Sequence, residues 1–340
     1  MRIFRSMPPL ALLTLFFLVG VIGGFSLGEA RARWLSPSPP TPMPVPTKTS
    51  LPPSPTVTTA PSPAPTSTPS STPTPTIIPT PTATPWPDGA AETIGTSVEG
   101  RPLEVYRFGH GPNQRMIVAG IHGGYEWNTV DLAKRMIATL KTNPAWVPED
   151  TTLFILPVLN PDGYEDHRGT AYGRANANQV DINRNFDAFW ASDWDRTHCW
   201  HALYITAGPK PFSEPESQAL RDFLNRPDIH IQALLSYHSA GSLVFPGGQP
   251  PHPASLDLAT HIANVTGFRL VVSDPNDLCE YTGQLIDWAA QQDIAAIDVE
   301  LPDHYHLDWE RQWRTLKAFL QWQPPQPTTT PAPATETPHP

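Results

Sequence analysis

His122 and Glu126 lie four residues apart on a glycine-rich segment, Gly120-Ile-His-Gly-Gly-Tyr-Glu-Trp127, and a lone His238 follows in Ser236-Tyr-His-Ser239. Two imidazoles and one carboxylate form the ligand set of a catalytic zinc site, which leaves a coordination position open for water. Glycines between the first two let the backbone bend both side chains toward one ion. Asp181 precedes Asn183 and Arg184 in Val180-Asp-Ile-Asn-Arg-Asn-Phe186. Asp181 reads either as the carboxylate that accepts the second ring N–H of a ligating histidine or as a turn cap. Asn183 and Arg184 set a neutral donor beside a planar guanidinium, which suits two-point recognition of a carboxylate. A structural salt bridge is the competing reading of Arg184. Glu300 closes an apolar run and reads as a general base of raised proton affinity, or as a solvated strand end. His198, His201, His304 and His306 lack comparable framing and are expected at the surface or in packing roles.

Apolar runs at 115–121, 152–159, 231–237 and 294–301 predict buried strands. Asn160-Pro-Asp-Gly163 closes the second as a turn signal. Helical periodicity marks 129–140, 214–224, 254–265, 284–291 and 308–322, and Ser213 is expected as the N-cap of the second of these. Strands alternating with helices predict a single α/β domain with a mixed, mostly parallel sheet and helices on both faces. Such sheets gather their sites outside the carboxyl ends of strands. His122, His238 and Glu300 all fall at or just past such an end.

Composition sets the boundaries of that domain. The 340 residues contain 44 prolines, most of them outside the middle of the chain. Residues 35–88 and 324–340 are dominated by Pro, Thr and Ser, too polar to bury a core, and read as disordered linker and tail. Residues 89–323 remain for one globular domain. Residues 1–34 carry Arg2, Arg5 and an apolar run at 10–27. This run reads as a signal peptide cut near Ala30-Arg-Ala32 or as an uncleaved anchor, and its length favours the anchor. Either reading places the domain outside the cytoplasm. A net charge of −10 and the lack of a basic stripe exclude a nucleic-acid partner. Cys199 and Cys279 can pair in an exported protein, a pairing the sequence leaves open.

The segment from about Gly95 to Gln321 resembles the zinc carboxypeptidases of the carboxypeptidase A type. The resemblance rests on His122-Gly-Gly-Tyr-Glu-Trp127, Asn160-Pro-Asp-Gly-Tyr164, Arg174-Ala-Asn176 leading into 180–186, Pro211-Phe-Ser-Glu-Pro-Glu-Ser217, Ser236-Tyr-His-Ser239 and Val299-Glu-Leu301. It implies one zinc on His122, Glu126 and His238, with Asp181 behind His122. It implies Arg174 as oxyanion stabiliser, Asn183 and Arg184 as the clamp on a substrate carboxylate, and Glu300 as general base. The first motif departs from the family's HxxE by one residue. Cys279 stands where the family has a substrate-closing tyrosine, with Tyr281 two residues on as a substitute. Ile286 falls where the family sets side-chain preference and implies apolar or aromatic C-termini. The resemblance points to a monomeric peptidase acting on peptide or protein C-termini, with peptidoglycan peptides as a second substrate class.

Overall fold

The structure is a computed structural model that describes residues 86–272 and 278–325. The expected anchor and most of the Pro-rich linker and tail lie outside the described residues. Among the described residues, no helix is long and apolar enough to cross a membrane.

Eight strands form one sheet: β1 Ala91–Thr96, β2 Pro102–Phe108, β3 Asn113–Val118, β4 Thr151–Leu156, β5 Ile231–Ser239, β6 Leu243–Pro246, β7 Arg269–Leu270 and β8 Ala295–Leu301, in the order β1-β2-β4-β3-β5-β8-β6-β7. The four central strands β4, β3, β5 and β8 run parallel, and antiparallel pairs β1–β2, β2–β4 and β6–β8 bring in the edges. The four central strands match the apolar runs in the sequence. Strands β1, β2, β6 and β7 had no such run. Their faces are part exposed, or they are only two to four residues long, too little for a periodic signal.

Side-chain alternation on the central strands divides the core in two. Ile117, Leu153, Ile155, Leu235, Tyr237, Ile297 and Val299 pack on one face with helices α1 (Trp127–Thr142), α4 (Pro253–Thr266) and α6 (Trp309–Gln321). Met116, Val118, Phe154, Leu156, Leu234 and Ala296 pack on the other with α3 (Pro215–Leu224) and α5 (Leu285–Gln291). The period of two that sends Tyr237 and Val299 to the first face sends Ser236, His238, Asp298 and Glu300 to the second. Register then sets Ser236 beside Asp298 and His238 beside Glu300 on neighbouring parallel strands.

Two local expectations change. The Asn160-Pro-Asp-Gly163 turn opens a short helix, α2 (Pro161–Asp166), whose first turn is capped by the Asn160 side chain accepting from the Gly163 amide at 2.9 Å. Helix α3 has Glu214, not Ser213, at its N-cap, because Pro215 takes the first helical position. The Ser213 hydroxyl donates instead to Glu214 Oε1 at 2.7 Å.

Candidate active site

The loop after β3 carries the first two candidate ligands. The Tyr125 amide donates to the His122 carbonyl at 3.0 Å, and α1 begins at Trp127. His122 and Glu126 are therefore joined by a tight hydrogen-bonded turn that leads into α1 and brings the two side chains together. This is how the longer HxxxE spacing still converges. Gly123 makes the turn possible. Its φ is +42°, and a Cβ there would sit 2.7 Å from the Asn160 carbonyl oxygen and 2.9 Å from that of Gly173.

His122 Nδ1 lies 2.7 Å from Glu126 Oε1, and His238 Nδ1 lies 3.3 Å from His122 Nδ1 and 3.1 Å from Glu126 Oε2. Among the described residues this is the group of three suited to holding a metal, and all three are buried. A tetrahedral ion with bonds of about 2.0–2.1 Å keeps its ligand atoms about 3.3 Å apart. The two imidazole nitrogens at 3.3 Å match that spacing, and the Glu126 carboxylate faces both, Oε1 toward His122 and Oε2 toward His238.

The outer nitrogens are held too. His122 Nε2 faces Asp181 Oδ1 at 3.2 Å, while Arg174 Nε donates to Asp181 Oδ2 at 2.9 Å. The same Asp181 Oδ1 accepts from the Asn183 amide at 2.9 Å, so the turn-cap reading and the orienting reading both hold. Burial works against the Asp181 charge, yet Arg174 and His122 hold its carboxyl well below the usual carboxylate range. Burial likewise opposes Glu126, and His122 and His238 outweigh it in the same direction. His238 moves the other way: burial lowers it, but Asp298 and Glu126 raise it to about 10. A metal entering the cluster displaces that proton, since a ligating imidazole is neutral.

A cleft of about 740 Å³ opens from the cluster. Arg174, Asn183, Arg184, Tyr281, Ile286 and Glu300 all line it, together with the three candidate ligands. Arg174 Nη1 is 3.2 Å from His122 Nδ1 and its guanidinium lies 5.0 Å from the Trp200 ring centroid. Arg184 sits 4.7 Å over the Trp194 ring; its Nη1 donates to the Asn183 carbonyl, and its Nε has no hydrogen-bond partner. Among the described residues no carboxylate forms an ion pair with it, which leaves its fork available to a ligand anion. Asn183 is fixed by its Oδ1, which accepts the Leu285 amide at 2.9 Å at the start of α5. Glu300 faces the cleft with Oε2 unpartnered. Burial pushes its carboxyl up; His238 offsets part of this, and Glu126 and Asp298 add to it.

Further residues line the cleft beside these. Tyr125 and Trp200 meet edge to face at 5.7 Å, and Tyr125 lies 4.7 Å from the His304 ring. His304 thus lines the cleft, contrary to its expected surface or packing role, and its Nδ1 is 2.9 Å from the Ser239 hydroxyl. Cys199 and Cys279 form a disulfide with Cα atoms 4.6 Å apart. It joins the segment of Trp200 to the segment of Tyr281. Asp287 and Asp298 also line the cleft. Asp298 was legible, since it stands two residues before Glu300 and strand alternation puts both on one face. Trp200 and His304 carried no local signal.

Residues 89–320 match the family model for zinc carboxypeptidase. The chain belongs to that family. It is 30% identical over 229 residues to carboxypeptidase B of Astacus astacus, covering 59% of this chain and 74% of that protein. It is 30% identical over 248 residues to carboxypeptidase A6 of Mus musculus, covering 63% and 56%. With murein peptide amidase A of Escherichia coli K12 it shares 28% over 216 residues, covering 62% and 80%. Among solved structures, bovine thrombin-activatable fibrinolysis inhibitor has the same fold, with a TM-score of 0.54 at 22% identity over 68% of this chain and 86% of that one. The murein-tripeptide amidase of Escherichia coli O157 gives a TM-score of 0.51 at 26% identity over 69% and 93%. The family is one of zinc-dependent peptide hydrolases, and the His122, Glu126 and His238 cluster suits that metal.

Proposed function

We propose that this protein is an exported zinc metallocarboxypeptidase that removes the C-terminal residue of peptides or proteins. The observation that carries the reading is that Arg184, buried and without an ion-paired carboxylate among the described residues, lines the same cleft as the metal cluster and Glu300. An exopeptidase needs a fixed cation one residue past the bond it cuts. Arg184 supplies the fork for the terminal carboxylate, and Asn183 lines the wall beside it.

Zinc on His122, Glu126 and His238 would supply an acidified water and a polarised carbonyl. Glu300 takes the proton of the attacking water and returns it to the leaving amine. Arg174, held by Asp181, faces the oxyanion that develops on the scissile carbonyl, a donor worth roughly 3 kcal/mol in comparable acyl transfer. Asp181 fixes the tautomer of His122. Tyr281 and Ile286 border the position of the departing residue.

The likeness to the murein amidase, which covers most of that protein, supports a second reading, a peptidase of cell-wall peptides on the same scaffold. Incubating purified protein with a mixed peptide library and with muropeptides, read by mass spectrometry, separates the two. Loss of single C-terminal residues across the peptides is expected. Products from muropeptides alone would transfer the activity to the cell wall. Export and membrane attachment follow from the apolar run at 10–27; a soluble form beginning near Arg33 would refute the anchor.

A further inference from the structure

The hydrogen bonds around His304 fix which of its ring nitrogens carries the proton. Asn128 is fully buried, and its Nδ2 donates to the carbonyls of Asp303 at 2.7 Å and His306 at 3.0 Å. Two acceptors on one nitrogen decide the orientation of the amide, so Asn128 Oδ1 faces Ser239 and can only accept. The Ser239 hydroxyl donates to that oxygen at 3.0 Å and commits its single proton there. His304 Nδ1 lies 2.9 Å from the same hydroxyl oxygen, so the ring is the donor in that contact. In a neutral imidazole the other nitrogen is then bare and accepts. Among the described residues no donor reaches His304 Nε2, and His304 lines the cleft.

The loop that carries this ring is held in place. Asp303 Oδ1 accepts the Tyr305 amide at 2.7 Å and the His306 amide at 2.8 Å, and Asp303 Oδ2 meets His306 Nδ1 at 2.8 Å. The ring of His304 is 4.7 Å from Tyr125, Tyr125 is 5.7 Å from Trp200, and Trp200 is 5.0 Å from the Arg174 guanidinium. These rings make one stretch of cleft wall that runs from the oxyanion arginine to His304. Ser239, on which His304 leans, donates its amide to Glu126 Oε2 at 3.2 Å, which brings His304 close to the metal cluster. Arg184 and Ile286 are assigned to the departing residue, which leaves this wall to the acyl half of the substrate. The donors that a peptide offers there are backbone N–H groups.

We propose that His304 Nε2 accepts a backbone N–H from the acyl half of the substrate and so registers the scissile carbonyl on the metal. The inference rests on the carboxypeptidase reading, which assigns the opposite half of the substrate to Arg184.

The test compares acetyl-alanyl-alanyl-phenylalanine with two depsi analogues, in which oxygen replaces the N–H of the alanine at the scissile carbonyl or of the alanine before it. Each analogue removes one donor with little change of shape. The readout is release of the C-terminal phenylalanine by the zinc-loaded full chain. Wild type should process one analogue at least about fivefold less efficiently in kcat/KM than the parent, the loss of one hydrogen bond whose acceptor is left bare. The analogue affected identifies the N–H. His304→Asn keeps a donor for Ser239 near the Nδ1 position but places no atom at Nε2, and it should process parent and analogue almost equally. His304→Gln reaches the Nε2 position with its side-chain oxygen and should restore part of the difference. A difference that survives in His304→Asn overturns the proposal. Equal processing of all three peptides by wild type overturns it too, and both results leave the carboxypeptidase reading standing. If no peptide releases its C-terminal residue, that reading fails and this inference falls with it. Nitrogen-15 NMR of labelled histidines in the free protein needs no turnover, and the His304→Asn spectrum assigns the signal. A proton on Nδ1 with a bare Nε2 is expected; the reverse tautomer overturns the proposal.

Discussion

Glu300 and Asp298 stand two residues apart on one strand face, and both line the cleft. Glu300 faces the metal cluster with a free oxygen, and burial raises its proton affinity, which suits a base. Glu300→Gln should keep its zinc and its fold while losing about 10²–10⁴ of turnover, because an amide cannot accept the water's proton. Metal content and single-turnover kinetics check this, and near-normal turnover would assign the base elsewhere. The acid limb of kcat/KM should have the matching sign: activity falls as pH drops through the Glu300 pKa. At this scale the sequence was informative where residues sit in contiguous motifs, as with His122, Glu126, Asp181, Asn183 and Arg184. It was mute where a side chain enters the cleft from an irregular loop, as Trp200 and His304 do. No periodicity reports the path of such a loop.

At the scale of elements, the four central strands and five helices were legible because each has a buried face with its own period. The edge strands were not, since part-exposed or very short strands leave no stripe to read. Pairing of Cys199 with Cys279 was equally hidden, being a contact across 80 residues. The bridge ties the Trp200 segment to that of Tyr281, both of which line the cleft. Closing a loop of that length stabilises by about 2–4 kcal/mol. Replacing both cysteines by serine should therefore lower Tm by roughly 5–15 °C in a domain of this size. An unchanged Tm in a thermal melt would mean that other contacts hold these loops together.

Across the whole molecule, several buried carboxyls respond to pH in the same direction. Glu216 is fully buried, and burial pushes it up to about 7, although Asn176 and the Val98 amide donate to it. Asp287 and Asp298 are raised by burial too. A carboxyl with a raised folded pKa binds more protons folded than unfolded. Its contribution is thus most favourable below the ordinary pKa of 4.5 and is lost as pH rises toward 7. Urea unfolding at pH 5 and pH 8 should show Glu216→Gln gaining stability relative to wild type at the higher pH, by up to about 3 kcal/mol. An identical pH slope in both proteins would mean that Glu216 is charged in the folded state.

The reading as a carboxypeptidase depends on a free carboxylate being recognised by Arg184. The most direct measurement compares one peptide as its C-terminal acid and as its C-terminal amide, with wild type and with Arg184→Ala. A hydrogen bond to a charged group is worth roughly 1.5–3 kcal/mol, so amidation should cost wild type at least tenfold to hundredfold in kcat/KM. Arg184→Ala should lose a similar factor on the acid and little more on the amide, because both changes remove one interaction. Equal cleavage of acid and amide by the wild-type protein would contradict the account and mark the cleft as that of an endopeptidase or amidase.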